Sequence, residues 1–219
     1  MSRIISFDLD GTITTKEFAD LVWLEGIPTI YARDRNIDID TAKRYILEEY
    51  DKIGDGKVEW YDLGYWIRKW NLKTTSGELL RRYSHAIHLY PDAVSVIPSL
   101  SKKYTLIITS NARREFIDIQ LEKTGFKKFF TYIFSSTSDE NIVKKNPRFY
   151  RIICDKLDVH PDDIIHIGDD READFLIPRS IGITSFYLNR NRSKSINDED
   201  YNNNVFSSLI EFEKYLQGL

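Results

Sequence analysis

Short apolar runs that end in polar or turn residues recur along the chain, and each is typical of a buried β-strand. The first run is Arg3–Phe7. Similar runs return in the second half of the chain, at Tyr104–Ser110, Tyr132–Ser136, Asp163–Asp169 and Thr184–Asn189. Helical patterns separate these later runs. Strands that alternate with helices predict an α/β fold with a doubly wound, Rossmann-like parallel sheet.

Three helices are predicted in this second half. One covers Arg113–Lys123, and another begins at Pro147 with Asn146 as its N-cap. A final helix is predicted at Val205–Tyr215. The polar segment Asn189–Asn204 before it is expected to form a surface loop.

The middle of the chain differs, because residues 16–88 contain no strong strand pattern. Apolar and aromatic residues between Ala42 and Ile53 share one face of a helix. A capping box formed by Thr75 and Glu78 predicts the start of another helix. We therefore predict an all-helical domain inserted after the first strand. The α/β core then consists of two parts, residues 1–15 and 89–219.

Composition narrows the classes of function. The chain has 31 basic and 34 acidic residues and no basic stretch typical of a nucleic-acid-binding arm, so we expect no nucleic-acid partner. A single cysteine, Cys154, excludes an internal disulfide and favours a reducing, cytoplasmic compartment. The N-terminal apolar run is too short for a signal peptide, and no run approaches transmembrane length. We therefore expect no membrane association.

Polar residues cluster just after the predicted strands or just before the helix that follows. They are Asp8 and Asp10, Thr109–Asn111, Val143–Pro147 and Gly168–Asp174. Because ligands bind at the carboxyl ends of strands in open parallel sheets, we expect these groups to converge. Several carboxylates at one point require a cation, and hard oxygen ligands favour Mg²⁺.

A lysine and a hydroxyl group beside such a metal suit a phosphate group. In that arrangement Asp8 could attack phosphorus while the metal and the lysine neutralise the developing charge. The Asp10 side chain, two residues on in extended chain, would point to the same side. It could protonate the leaving oxygen and later activate water.

The motifs resemble, in order, the four motifs of the haloacid dehalogenase (HAD) superfamily. They are "FDLDGT", "TSN", a lysine before "NPRFY", and "GDDREAD". The helical insert resembles the cap that this superfamily carries after its first motif. The resemblance implies a Mg²⁺-dependent phosphatase that acts through an aspartyl-phosphate. A cap that limits access implies a small phosphorylated metabolite as partner, such as a phosphoglycolate-like compound or a sugar phosphate.

The resemblance also implies a role for each acid. Asp8 would be the nucleophile and a metal ligand. Asp10 would be the general acid and base, with its backbone carbonyl on the metal. Asp169 and Asp174 would be further metal ligands, and Asp174 would bind either directly or through water.

The phosphate-binding residues follow in the same way. Ser110 would bind the phosphate through its hydroxyl group, and Asn111 would offer a backbone amide. Counting back from Pro147 selects Lys144 as the catalytic and phosphate-binding lysine. Lys145 stays open as a competitor, because it occupies the position where the family pattern has a proline.

Other functions stay open. A phosphomutase or phosphotransferase would use the same residues and exclude water from the aspartyl-phosphate. A 2-haloacid dehalogenase attacks carbon without a metal site, and Asp10 and Asp169 argue against it. A signalling or catalytically silent phosphate-binding module would show no Mg²⁺-dependent turnover.

Overall fold

A computed structural model describes residues 3–190 and 204–218 of the chain. It contains a six-stranded, all-parallel sheet with the strand order β3-β2-β1-β4-β5-β6. The strands are β1 (Ile4–Phe7), β2 (Thr105–Ser110), β3 (Tyr132–Ser135), β4 (Ile164–Gly168), β5 (Thr184–Leu188) and β6 (Val205–Phe206). The predicted doubly wound α/β fold is confirmed, and its first five strands match the predicted runs to within about one residue at each end.

Five α-helices form the segment between β1 and residue 88. They are α1 (Glu17–Leu21), α2 (Ile27–Arg35), α3 (Ile39–Ile53), α4 (Leu63–Lys69) and α5 (Ser76–Tyr83). A π-helical turn, Val22–Gly26, joins α1 to α2, and 3₁₀ turns lie at Val58–Tyr61 and Ser84–Ala86. The predicted capping box at Thr75 and Glu78 starts α5. We call this helical segment the cap.

The cap has an apolar core centred on aromatic residues such as Tyr50 and Trp66, and this cluster continues onto Phe116 of the α/β core. The chain enters and leaves it through two adjacent stretches. The Thr15 N–H donates to the His88 carbonyl at 2.9 Å, and the Tyr90 N–H donates to the Ile13 carbonyl at 2.9 Å. The predicted limits of the cap, residues 16 and 88, fall beside these bonds.

Helices cover both faces of the sheet. They are α6 (Pro91–Leu100), α7 (Arg114–Thr124), α8 (Ser136–Asp139), α9 (Pro147–Leu157), α10 (Ile177–Arg179) and α11 (Leu209–Gln217). Further 3₁₀ or π turns lie at Lys127–Phe129, Pro161–Asp163 and Arg171–Leu176. Side chains alternate along β1, so that Ile5 and Phe7 face α6, α7 and α11, whereas Ile4 faces α9.

The last helix begins later than predicted. Val205 and Phe206 pair with β5, and Ser208 then caps α11 by accepting a hydrogen bond from the Glu211 N–H. Most of the predicted surface loop before it, residues 191–203, lies outside the described residues. Within the described ranges, no helix has both the length and the apolar character that a membrane span requires.

Candidate active site

Three carboxylates meet at the carboxyl edge of the sheet. Asp8 follows β1, and Asp169 follows the neighbouring strand β4. Asp174 lies in the π-helical turn that comes next. One oxygen from each of these carboxylates lies within 4.8 Å of the others. Asp10 lies nearby, but its carboxylate is not part of this cluster.

Two glycines make room for this cluster. Gly11 has a φ angle of +89°, and a Cβ atom there would lie 2.3 Å from Oδ2 of Asp169. A Cβ atom on Gly168 would lie 2.3 Å from Cγ of Asp174. Any side chain at either position would displace a carboxylate, and the positive φ of Gly11 adds a backbone reason for glycine there.

The structure corrects the choice of lysine. The Lys145 side chain is 1% exposed, and its Nζ donates to Oδ1 of Asp8 at 2.6 Å. The same Nζ lies 2.5 Å from Oδ1 of Asp174 and 3.2 Å from the Thr109 carbonyl oxygen. Lys144 is 55% exposed and pairs with Asp55 of the cap at 2.5 Å. Lys145 therefore occupies the position that counting assigned to Lys144.

Backbone contacts explain which lysine points inward. The Lys145 N–H donates to Oδ1 of Asn111 at 2.7 Å, and Asn146 caps α9 directly afterwards. These two bonds fix the backbone on either side of Lys145. Neighbouring side chains in non-helical chain point in opposite directions, so turning Lys145 inward leaves Lys144 in solvent.

The remaining predicted residues line the edge of the cluster. Ser110 is buried and its Oγ accepts a hydrogen bond from the Ala112 N–H at 3.1 Å. The Asn111 side chain holds Lys145, as described above, a role that sequence reasoning did not assign to it. Asp170 caps the turn behind β4 by accepting from the N–H groups of Glu172 and Ala173.

A buried polar network, which sequence reasoning missed, supports Asp174. The Nε2 atom of His166 lies 3.0 Å from Oδ1 of Asp174, and its Nδ1 lies 2.8 Å from Oγ of Ser6. The Tyr150 hydroxyl group lies 3.2 Å from the same Nε2 and donates to the Ala173 carbonyl at 2.8 Å. The signal that could have revealed this network is His166 itself, a histidine inside a strand whose residues are all buried.

Gln120 is a second residue that sequence reasoning missed. It is fully buried on α7, and its Nε2 donates to Oδ1 of Asp10 at 3.1 Å. The signal that could have revealed this role is the position of Gln120, a polar residue on the buried face of α7 with Phe116, Ile117 and Leu121.

This geometry agrees with comparisons to known proteins. The family model described as haloacid dehalogenase-like hydrolase matches residues 3–182. The chain belongs to this family of hydrolases. A crystal structure of a HAD phosphatase from Thermococcus onnurineus superposes with a TM-score of 0.83 and 28% identity, covering 100% of this chain and 99% of that one.

Two curated relatives of this HAD-like hydrolase differ in activity. Glyceraldehyde 3-phosphate phosphatase of Methanocaldococcus jannaschii is 20% identical over 100% of this chain and 99% of its own. (S)-2-haloacid dehalogenase 4A of Burkholderia cepacia is 27% identical over 48% of this chain. The match spans only 46% of that dehalogenase.

Burial and crowding set the charges in the HAD-like site. Burial raises the pKa of Asp8 well above its usual value; Lys145 opposes the shift, and Asp174 and Asp169 add to it. Burial alone would lower the pKa of Lys145, but Asp174 and Asp8 raise it by more, so the ammonium stays charged. Asp174 has a lowered pKa, because Lys145 and His166 outweigh the effect of burial.

Asp10 is a carboxyl group able to hold a proton. Burial raises its pKa to about 6, and the hydrogen bond from Gln120 opposes that shift. A carboxyl with a pKa near neutral can both give and take a proton.

The cluster also has the composition of a divalent-metal site. Its donors are carboxylate oxygens, which suit Mg²⁺. Burial raises the pKa of Asp169 as well as that of Asp8, which means that the ionised acids lack positive charge. Lys16 supplies part of it from the cap side, with its Nζ 2.6 Å from Oδ2 of Asp169. A bound cation would relieve this crowding more fully than a half-exposed lysine.

Two cavities flank the carboxylates. One, of about 240 Å³, lies between cap and core, and Asp10 and Lys16 are among its lining residues. The other, of about 580 Å³, is lined by Lys144, Lys145 and Asp170 among others.

Proposed function

We propose that this HAD-like hydrolase is a cytoplasmic, Mg²⁺-dependent phosphatase that hydrolyses small phosphate monoesters through an aspartyl-phosphate. The observation that carries the proposal is the contact between Asp8 and Lys145 beside two further carboxylates. A charged lysine and a nucleophilic carboxylate at one point suit a phosphoryl group, which is both electrophilic and anionic.

The first step forms a bond between Asp8 and phosphorus and breaks the ester bond to the alcohol. Lys145 and the Ser110 hydroxyl group would hold the phosphoryl oxygens as charge develops on them. Asp10 would give its proton to the leaving alcohol oxygen. The alcohol then departs with that proton.

The second step regenerates the enzyme. Asp10, now ionised, would take a proton from a water molecule as that water attacks phosphorus. The bond between Asp8 and phosphorus breaks, and inorganic phosphate leaves. Asp8 is again a free carboxylate beside Lys145.

Asp8, Asp169 and Asp174 are the side chains that would hold the metal, with the Asp10 carbonyl implied by the family motif. When bound, Mg²⁺ would supply positive charge next to the phosphoryl group. The same residues argue against a dehalogenase, since attack on carbon uses neither the acid cluster nor a proton from Asp10.

Release of phosphate from p-nitrophenyl phosphate tests the proposal. We expect turnover by the wild-type enzyme with Mg²⁺, and none after EDTA or in Asp8→Asn, because the nucleophile is lost. Thermal unfolding of Asp8→Asn checks that the variant is folded. An inactive wild type, folded and supplied with Mg²⁺, across a panel of small phosphate esters would contradict the proposal.

Transfer assays separate hydrolysis from phosphomutase activity. We expect inorganic phosphate as the product even when a sugar phosphate is added as an acceptor. Transfer of the phosphoryl group to the added sugar phosphate, in place of phosphate release, would identify the enzyme as a phosphomutase or phosphotransferase.

A further inference from the structure

The smaller cavity lies on the side of the site where a leaving group would be found. Asp10 is among its lining residues, and Asp10 is the group placed to protonate the leaving oxygen. The organic part of the substrate must continue from that oxygen. Asp10 does not line the larger cavity, so the organic part is expected in the smaller one, which we call the aromatic cavity.

Four of its ten lining residues are aromatic, namely Trp23, Trp60, Tyr61 and Phe116. Trp23 of the cap stacks on Phe116 of α7, with ring centroids 5.8 Å apart and planes at 7°. Trp60 also stacks on Trp23, with ring centroids 6.3 Å apart and planes at 29°. Ala19 and Ala112 complete the apolar lining. Stacked rings restrain one another, so this wall is preformed.

Polar groups at the cavity are largely committed to other partners. Arg113 pairs with Asp62 at 3.1 Å, and Lys16 lies 2.6 Å from Asp169, beside the carboxylates at the phosphoryl end of the site. The Tyr61 hydroxyl group donates to the Asp55 carbonyl at 3.3 Å. Asp20 is exposed at the rim, where its charge would repel an anionic substituent.

We propose that the aromatic cavity selects phosphate monoesters of flat, apolar alcohols, of the arylalkyl class, over sugar phosphates and phosphoglycolate-like acids. The inference rests on the proposed function. A volume of about 240 Å³ exceeds the roughly 150 Å³ that holds a benzene ring in an apolar cavity. Sugar hydroxyl groups would lose water there without gaining enough hydrogen bonds, and a carboxylate would meet Asp20.

Matched substrates test the selectivity. 2-Phenylethyl phosphate, glycerol 3-phosphate and phosphoglycolate all have aliphatic alcohol leaving groups, so leaving-group reactivity differs little. We expect kcat/KM to be at least about tenfold higher for 2-phenylethyl phosphate. Equal values, or a preference for either hydrophilic ester, would overturn the inference.

A pair of cap variants locates the effect. Trp60→Ala should reduce the preference for 2-phenylethyl phosphate by about tenfold, mostly through KM, because the wall loses a ring. Tyr45→Ala is the matched control, since Tyr45 is a half-exposed aromatic residue of the cap that does not line the cavity. A preference that survives Trp60→Ala unchanged would overturn the assignment to this cavity.

Binding without turnover separates this inference from the proposed function. Calorimetry with folded Asp8→Asn and Mg²⁺ should show tighter binding of 2-phenylethyl phosphate than of glycerol 3-phosphate. Preferential binding with an inactive wild type would overturn the proposed function and support the cavity assignment. Hydrolysis by the wild type with no preference in either assay would support the function and overturn the assignment.

Discussion

The two walls of the site are built from different kinds of residue. On the core side, buried charges meet at the strand ends, and Lys145 contacts three oxygen atoms. On the cap side, the half-buried rings of Trp23 and Trp60 face the cavity, and the nearby Arg113 pairs with the partly buried Asp62. The core wall is suited to chemistry that is the same for every phosphate ester. The cap wall is suited to distinguishing one ester from another.

Energetics explain why the walls differ. A buried charge without its partner is costly, so the core wall tolerates little change at any single position. Aromatic rings gain stability through contact area, and loss of one ring leaves no buried charge unpaired. Changes on the core side should therefore reduce kcat or folding, whereas changes on the cap side should alter selectivity.

The largest expected effect comes from the two adjacent lysines. Lys145→Met should lower kcat by on the order of 10²–10³, because it removes a charge-stabilising donor from the phosphoryl site. Lys144→Met should change kcat by less than about threefold, since its ion pair with Asp55 is exposed to solvent. Phosphate release from p-nitrophenyl phosphate measures both.

Thermal unfolding is the control for this pair. Lys145→Met leaves Asp8 and Asp174 buried without their cation, so its melting temperature must be measured and kcat compared only where the variant is folded. Addition of Mg²⁺ supplies replacement charge and should recover part of that stability. A large loss of kcat in Lys144→Met with a small one in Lys145→Met would reverse the assignment.

The next largest expected effect is that Mg²⁺ stabilises the folded protein by binding to the carboxylates of the core side. At about 100 times its dissociation constant, a ligand that binds only the folded state adds about 2.7 kcal/mol to the free energy of unfolding. We expect the melting temperature of the wild type to rise with Mg²⁺, and that of Asp169→Asn to rise much less.

Asp20→Asn is the matched control, because Asp20 is an acid on the cap side of the site. It should respond to Mg²⁺ as the wild type does. An equal response from all three proteins would mean that the ion binds elsewhere than the carboxylate cluster.

The sequence predicted the core wall better than the cap wall. Asp8 and Asp169 follow apolar strands, and the rule that parallel strands end at one edge was enough to predict their approach. Spacing selected Lys144 and left Lys145 only as a competitor. The direction of its side chain depends on the bond from its N–H to Asn111, which joins segments distant in sequence.

On the cap side, the sequence does not distinguish a tryptophan in the core of the cap from one that lines the cavity. Trp66 is fully buried in the core of the cap, whereas Trp23 and Trp60 line the aromatic cavity. Their roles depend on how the cap packs on α7 of the core, and a local pattern carries no information about that packing.

The smallest expected effect concerns Gln120, which touches the proposed acid from the core side. Gln120→Met removes the hydrogen bond to Asp10 and keeps the volume of the side chain. We expect kcat/KM for 2-phenylethyl phosphate to fall by about tenfold, because its alkoxide leaving group needs a well-placed proton.

The same variant should barely affect kcat/KM for p-nitrophenyl phosphate. Nitrophenolate leaves readily without a proton, so an effect on both esters alike would mean that Gln120 supports folding or phosphate binding rather than the position of Asp10. Trp60→Ala offers the contrast from the cap wall, since its effect should follow the shape of the alcohol and not its acidity. If the effect of Gln120→Met follows the acidity of the alcohol and that of Trp60→Ala follows its shape, the core side provides proton transfer and the cap side provides recognition.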